Sequence, residues 1–435
     1  MTGTFPVAFV IFAGTKKSRA TGKKKDMKQW CRKKKFIPVV LLAVLALYAI
    51  ASSGKRDPDR SYHKFRAEGL TLREALPSAP AYIRKYFATS ELAPDSIREM
   101  ADRQKGIWQE LISPFDSACT IEIAFTGDIM WIRNNWDNFA DPRLIEKMAG
   151  HDMVFGNLET PVDTVRAVRS FLPDYARYNS APGLLRSFRR DDGKSIFTAV
   201  SLANNHAFDM GLEGLGRTMD FLDREGILHT GAATQGITGH NFVVIEEKGI
   251  RIGFHAASWG LNDPDILANG SVSLNTIPGL APPGSEPADI SEVKKALHEM
   301  DSARVDIKIV FLHWGYEFEF YPDTLIVRIG REIADAGADL IIGSHPHVIQ
   351  PVEIWPPARE ENPYKGRRSL IAYSLGNFTT AMYTRECRKG MVLPVTLYRR
   401  LPGMKVEWVA REPFYVYNSV RGFAGRNRRL VLYKN

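Results

Sequence analysis

Six times between residues 120 and 380 a short apolar run gives way to a compact polar fragment that sets glycine or asparagine beside Asp, Glu, His or Ser. The fragments are Phe125-Thr126-Gly127-Asp128, Gly156-Asn157-Leu158-Glu159-Thr160-Pro161, and Leu202-Ala203-Asn204-Asn205-His206 with Asp209-Met210-Gly211 behind it. Then come His313-Trp314-Gly315-Tyr316-Glu317, Gly343-Ser344-His345-Pro346-His347 and Ser374-Leu375-Gly376-Asn377-Phe378. Segments of helical spacing separate the apolar runs, and such alternation dictates an α/β layered core with polar residues at the C-terminal ends of its strands. The pattern predicts strands at 121–125, 153–155, 195–202, 242–246, 250–255, 307–312, 340–342, 369–373, 392–397 and 405–409. It predicts helices at 142–149, 182–190, 212–225, 290–300 and 324–336. Segment 262–287, rich in Pro, Gly, Ser and Asn, reads as a long surface loop, and 386–435 as a β-rich C-terminal extension.

The charge is unevenly placed. The chain of 435 residues carries a formal +9, yet residues 1–35 alone hold eleven Lys/Arg against Asp26, leaving −1 for the remainder. A near-neutral body argues against nucleic acid as a partner. Residues 36–54 are uncharged; at about 1.5 Å per residue such a helix reaches about 28 Å, close to the ~30 Å hydrocarbon thickness. The expected organisation is a basic cytoplasmic N-terminus (1–35), a transmembrane anchor or signal segment (36–54), a charged helical stalk (55–118) and an α/β domain (119–385) before the extension. The positive-inside rule then leaves the N-terminus in the cytoplasm and everything beyond residue 54 outside the cell membrane. Ala49-Ile50-Ala51 also resembles a cleavage site, and Met27 is an alternative start. Cys119 and Cys387 share the outer compartment, and their spacing leaves pairing open. There is no CxxC.

Singly, the polar fragments have ordinary explanations. An Asp after a strand is usually a cap or turn former, and a lone His at a strand end is usually hydrogen-bonded structure. The ordered set is different, because hard and borderline divalent cations want carboxylate, amide oxygen and imidazole together. His345 and His347 stand two apart, so an extended segment would aim both at one face, with Pro346 stiffening the bend. His63, His151, His229, His240, His255 and His298 fall outside the set and are expected to be structural or surface residues.

In this order and combination the fragments resemble the bacterial capsule-synthesis CapA family, associated with poly-γ-glutamate production and similar in fold to the calcineurin-like metallophosphoesterases. The resemblance covers about residues 120–380. It implies a layered metallophosphoesterase-type fold of β sheets flanked by helices. It also implies two divalent ions (Mn, Fe, Zn or Mg) held by Asp128, Glu159, Asn205, His313, His345 and His347, with Glu159 able to bridge them. His206 would be the general acid and Asp209 its orienting partner. One departure stands out. Phosphoesterases carry Asp-x-His in the first fragment, whereas here the run is Asp128-Ile129-Met130. The function implied is an exported, membrane-anchored, metal-dependent hydrolase or transferase acting on an envelope polymer or its precursor, through a phosphoester or a γ-glutamyl amide. The alternative is a non-catalytic membrane subunit that works with polymer synthase partners and binds polyanion or metal.

Overall fold

The computed structural model of the chain describes residues 85–86, 93–103, 119–132, 136, 139–166, 177–234, 241–262, 272–280, 287–356, 368–421 and 427–433. The first half runs α1 (Asp95–Arg103), β1 (Cys119–Met130), α2 (Pro142–Ala149), β2 (Met153–Glu159), α3 (Gly183–Arg186), β3 (Ala199–Ser201), α4 (Gly211–Arg224), β4 (Leu228–Thr230) and β5 (Ala232–Thr234). It continues with β6 (Phe242–Glu247), β7 (Ile250–Ser258), β8 (Val272–Leu274), α5 (Ser291–Ser302), β9 (Ile307–His313), α6 (Thr324–Asp335) and β10 (Leu340–Ser344). The remaining strands are β11 (Val352–Trp355), β12 (Ser369–Ala372), β13 (Asn377–Thr379), β14 (Lys389–Arg399), β15 (Glu407–Ala410), β16 (Phe414–Arg421) and β17 (Asn427–Tyr433).

These strands form two principal sheets. One has nine strands, in the order β17-β16-β14-β1-β2-β3-β4, with β13 beside the end of β1 and β15 beside β14. The other has six, ordered β11-β12-β10-β9-β7-β6. The four strands β1 to β4 are mutually parallel, as are β7, β9, β10 and β12, so each sheet gathers its strand ends on one side. The expected layered α/β architecture is therefore present.

Period-two alternation explains the layers. On β9, Ile307, Ile309 and Phe311 join one core cluster, while Val310 and Leu312 join another. The first cluster lies between the sheets, where Phe125 meets Phe311 at 6.0 Å and Phe155 meets Phe254 at 5.2 Å between ring centroids. Each such fully buried ring contributes about 2–3 kcal/mol of apolar burial. The second cluster packs the far face of the six-stranded sheet under Val293 and Leu297 of α5, Ile329 and Ile333 of α6, and Ile97 and Met100 of α1.

Several expectations are corrected. α1 falls in the segment expected to be a stalk, yet it is packed into a compact unit that begins at Ala93. The expected C-terminal extension is no appendage, because β14 pairs antiparallel with β1 from Cys119↔Arg399 to Phe125↔Leu393. Segment 262–287 is not wholly a surface loop: β8 pairs with β5, and Leu274, Ile277 and Leu280 are buried. The helix expected at 182–190 shortens to α3, since Arg189 turns into a bridge with Ser195. No helix among the described residues is long and apolar enough to cross a membrane, and the expected span at 36–54 lies outside them. Cys119 and Cys387 are not joined by a disulfide; the Cys119 thiol donates to the Lys248 carbonyl at 3.4 Å.

Candidate metal centre

Strands β1 and β2 run five and four residues past their last predicted apolar positions, Phe125 and Phe155, and that extra length carries the acids. The ladder persists because each polar residue has a registered neighbour, Asp128 opposite Asn157 and Met130 opposite Glu159. Alternation puts Asn157 and Glu159 on one face of β2. Asp128 is fully buried; its Oδ1 accepts from Asn157 Nδ2 at 2.8 Å and its Oδ2 from the His345 backbone N–H at 3.0 Å. From the other sheet comes His313, the last residue of β9, whose Nδ1 meets Ser344 Oγ at 2.9 Å. Its Nε2 faces Asn205 Oδ1 at 2.7 Å and Glu159 Oε1 at 3.6 Å. Asn205 is held oxygen-inward because its Nδ2 donates to Asn262 Oδ1 at 3.0 Å.

His345 and His347 reach the centre by a different route from the one their spacing suggests. Neither lies on extended chain: β10 ends at Ser344, and both residues take positive φ, 94° and 58°. Non-glycine residues in that region are uncommon and strained by about 1–3 kcal/mol, so the surrounding structure must impose the conformation. The bend leaves both imidazoles buried, with ring centroids 5.9 Å apart. His347 Nδ1 sits 3.5 Å from Asp128 Oδ2 and 3.8 Å from Glu159 Oε2.

Two overlapping groups of buried ligand atoms result, Glu159/His313/His345 and Asp128/Glu159/His347, each set lying within 4.8 Å of one another. Glu159 belongs to both. Its two carboxylate oxygens are buried and neither receives a hydrogen bond, which a buried carboxylate tolerates only with a cation or a proton. Burial, then the charge of Asp128, lifts the Glu159 carboxyl well above the usual carboxylate range. Burial holds His345 down at about 4 and, with its histidine neighbours, pushes His313 well below its ordinary value. His347 goes the other way: burial opposes its charge, but Glu159 and Asp128 raise it well above. With a cation in place of the protons that His347 and Glu159 hold, the imidazoles, carboxylates and inward amide oxygen are the donor types that a divalent ion takes.

At the edge of this centre, His206 Nδ1 meets Asp209 Oδ2 at 2.6 Å. The Tyr178 ring stacks on the imidazole at 3.7 Å between centroids and 14° between planes, while its backbone N–H donates to Asp209 Oδ2 at 2.5 Å. All eight residues singled out in the sequence thus lie at or beside one buried cluster. Sequence reasoning passed over Asn157, Ser344, Asn377, Asn262 and Tyr178. Period-two spacing from Glu159 would have found Asn157; nothing local marks Asn262 or Tyr178, which arrive from distant loops. Met130 is buried but is not aimed at the centre, its sulfur accepting from Thr380 Oγ1 at 3.4 Å.

The chain is 32% identical over 186 residues to the PGA biosynthesis protein CapA of Bacillus subtilis (strain 168), covering 42% of each chain. It is 28% identical over 232 residues to the capsule biosynthesis protein CapA of Bacillus anthracis, covering 52% of this chain and 50% of that one. The chain thus spans about half the length of these curated relatives. Among solved structures it is similar to a 5'-nucleotidase precursor from Thermus thermophilus, with 14% identity, TM-score 0.39, and 67% of this chain and 54% of that one covered. A phosphatase from Mycoplasma pneumoniae is similar at 13% identity and TM-score 0.35, covering 67% and 93%. The family model described as bacterial capsule synthesis protein PGA_cap matches residues 122–382, more than half of the chain, and the chain belongs to that family.

Proposed function

We propose that this is a membrane-anchored, exported protein of capsule or poly-γ-glutamate biosynthesis, acting as a metal-dependent hydrolase or transferase on an envelope polymer or its precursor. The observation that carries the enzymatic reading is Glu159, a buried carboxylate with no hydrogen bond to either oxygen, shared by two groups of histidine and acid. Family membership supplies the pathway, and the basic segment followed by residues 36–54 supplies the anchor.

Asp128, Glu159, Asn205, His313, His345 and His347 would hold two divalent ions, of the Mn, Fe, Zn or Mg kind. When bound, such ions supply Lewis acidity and a lowered water pKa. The chain supplies the rest. Asn262 keeps the Asn205 amide oxygen inward. Asp209, itself held by the Tyr178 N–H, takes the Nδ1 side of His206 and leaves Nε2 to deliver a proton to the leaving group. The stacked Tyr178 ring fixes the imidazole plane. A phosphoester and a γ-glutamyl amide both leave through an atom that needs that proton.

The reading of a non-catalytic subunit that binds polyanion or metal beside membrane synthase partners draws on Met130, which replaces a histidine of the phosphoesterase pattern. The test is elemental analysis of chain purified without chelator, joined to assays on phosphoester and γ-glutamyl substrates. About two ions per chain and turnover lost in His206→Ala are expected. Bound metal without turnover, and capsule formation undisturbed by His206→Ala, would favour the subunit reading. No metal uptake at all would sink the hydrolase.

A further inference from the structure

The two groups around Glu159 are more alike than the phosphoesterase pattern predicts. Beside the first, Asn205 presents Oδ1 to His313 Nε2 at 2.7 Å while its Nδ2 is tied to Asn262. Beside the second, Asn377 presents Oδ1 to His347 Nδ1 at 3.1 Å. Its Nδ2 is tied three ways, to the Cys387 carbonyl at 2.8 Å, the His347 carbonyl at 3.3 Å and Met382 Sδ at 3.7 Å. Three acceptors around the nitrogen fix the amide orientation, so only the oxygen is turned toward the centre. Asn377 is fully buried.

The backbone places it there for a clear reason. Residue 127 is glycine because a Cβ would strike the Gly376 carbonyl oxygen, and the Asp128 N–H donates to that same oxygen at 2.9 Å. This close approach starts a short parallel pairing in which Asp128 and Asn377 are registered neighbours. Met130 has meanwhile turned its sulfur to Thr380.

We propose that Asn377 is a metal ligand of the Asp128/Glu159/His347 group, its amide oxygen supplying the donor that Met130 does not, so that each ion is held by the shared Glu159 and one asparagine. The inference rests on the two-ion reading above. Donors at about 2.0–2.2 Å from one ion lie about 3 Å from each other, the separation seen at Asn377 and His347. Two carboxylates and one imidazole beside the amide oxygen, against one carboxylate and two imidazoles in the other group, make this site the harder of the two, suited to Mn or Mg over Zn.

The experiment titrates Mn²⁺ and Co²⁺ into the full-length chain after chelator treatment, following binding by calorimetry and the cobalt by its visible spectrum. Asn377→Ala is expected to weaken one of the two binding events by at least about 10-fold, leaving the event lost in Asn205→Ala in place. Asn377→Asp separates ligation from positioning: it keeps an oxygen where Oδ1 stands but removes the donor to Cys387 and His347. Restored or tighter binding and an altered cobalt spectrum in Asn377→Asp support ligation, even if Asn377→Ala folds poorly. Binding in Asn377→Asp as weak as in Asn377→Ala, or two undisturbed events in both variants, overturns the proposal while leaving the metal centre standing. A wild-type chain that takes up no metal overturns both.

Discussion

Two buried carboxylates four residues apart, Glu159 and Asp163, are treated in opposite ways. Asp163 Oδ1 accepts from the Val165 N–H at 3.0 Å, the Arg166 N–H at 3.2 Å and Arg217 Nε at 2.7 Å, while Oδ2 accepts from Arg217 Nη2 at 2.7 Å. Burial works against its charge, but the Arg217 guanidinium and these N–H groups hold it at about 2. Glu159 receives none of this help. Both carboxylates are shielded from solvent, but Glu159 lies deep in the interior whereas Asp163 lies just beneath the surface beside a partly exposed Arg217, so depth and partners separate them together. A chain that can fully satisfy one carboxylate and leaves its neighbour bare among histidines has kept that neighbour for something the chain does not provide. On the proposed reading, the difference is that between a structural acid and a ligand.

The largest effect should come from removing Glu159, the proposed shared ligand. Glu159→Gln keeps the shape and takes away the negative charge common to both groups, so binding of both ions should weaken by more than about 100-fold and turnover should fall to background. Elemental analysis and substrate assays read this directly. Retention of both ions would break the contrast between the two acids.

Next comes His206, the proposed proton donor. His206→Ala should lower turnover by about 10²–10⁴-fold while leaving metal content unchanged, because His206 lies at the edge and Asp209 occupies its Nδ1. Loss of metal in that variant would move His206 into the ligand set.

How much of this was legible beforehand follows from the same physics. Asp128, Glu159 and His313 announced themselves because each ends an apolar strand run, a purely local pattern. The route to His345 and His347 was misread, since spacing assumes extended chain and both residues lie in the left-handed region. Asn377 stood in a quoted fragment but looked like a turn residue; only the parallel pairing of β13 with β1 brings it to Asp128. The place of β14 at the centre of a sheet was equally hidden, because strand order is set by contacts hundreds of residues apart.

The smallest effects are on stability, and they carry the contrast in their sign. Asp163→Asn should destabilise the chain in urea unfolding, since it breaks the Asp163–Arg217 pair and leaves Arg217 without its carboxylate. Asp163 has a depressed pKa in the fold, so its contribution is complete above its ordinary value of 3.8 and is lost as pH falls from there through about 2. Glu159 has a raised pKa, so in metal-free chain the unfolded state releases the proton first, and folded stability declines as pH climbs above the ordinary 4.5. The metal-free melting temperature should therefore fall on both sides of mildly acid pH, with Asp163, His313 and His345 contributing to the acid limb and Glu159 and His347 to the upper one. Glu159→Gln should reduce the slope of the upper limb, since it removes both its own titration and the charge that raises His347, and Asp163→Asn should reduce that of the lower limb. Saturating wild type with Mn²⁺ should flatten the upper limb as Glu159→Gln does, because a cation does for that carboxylate what Arg217 does for Asp163. An upper limb unmoved by both would mean that Glu159 is satisfied by some other means and is not the pivot of the centre.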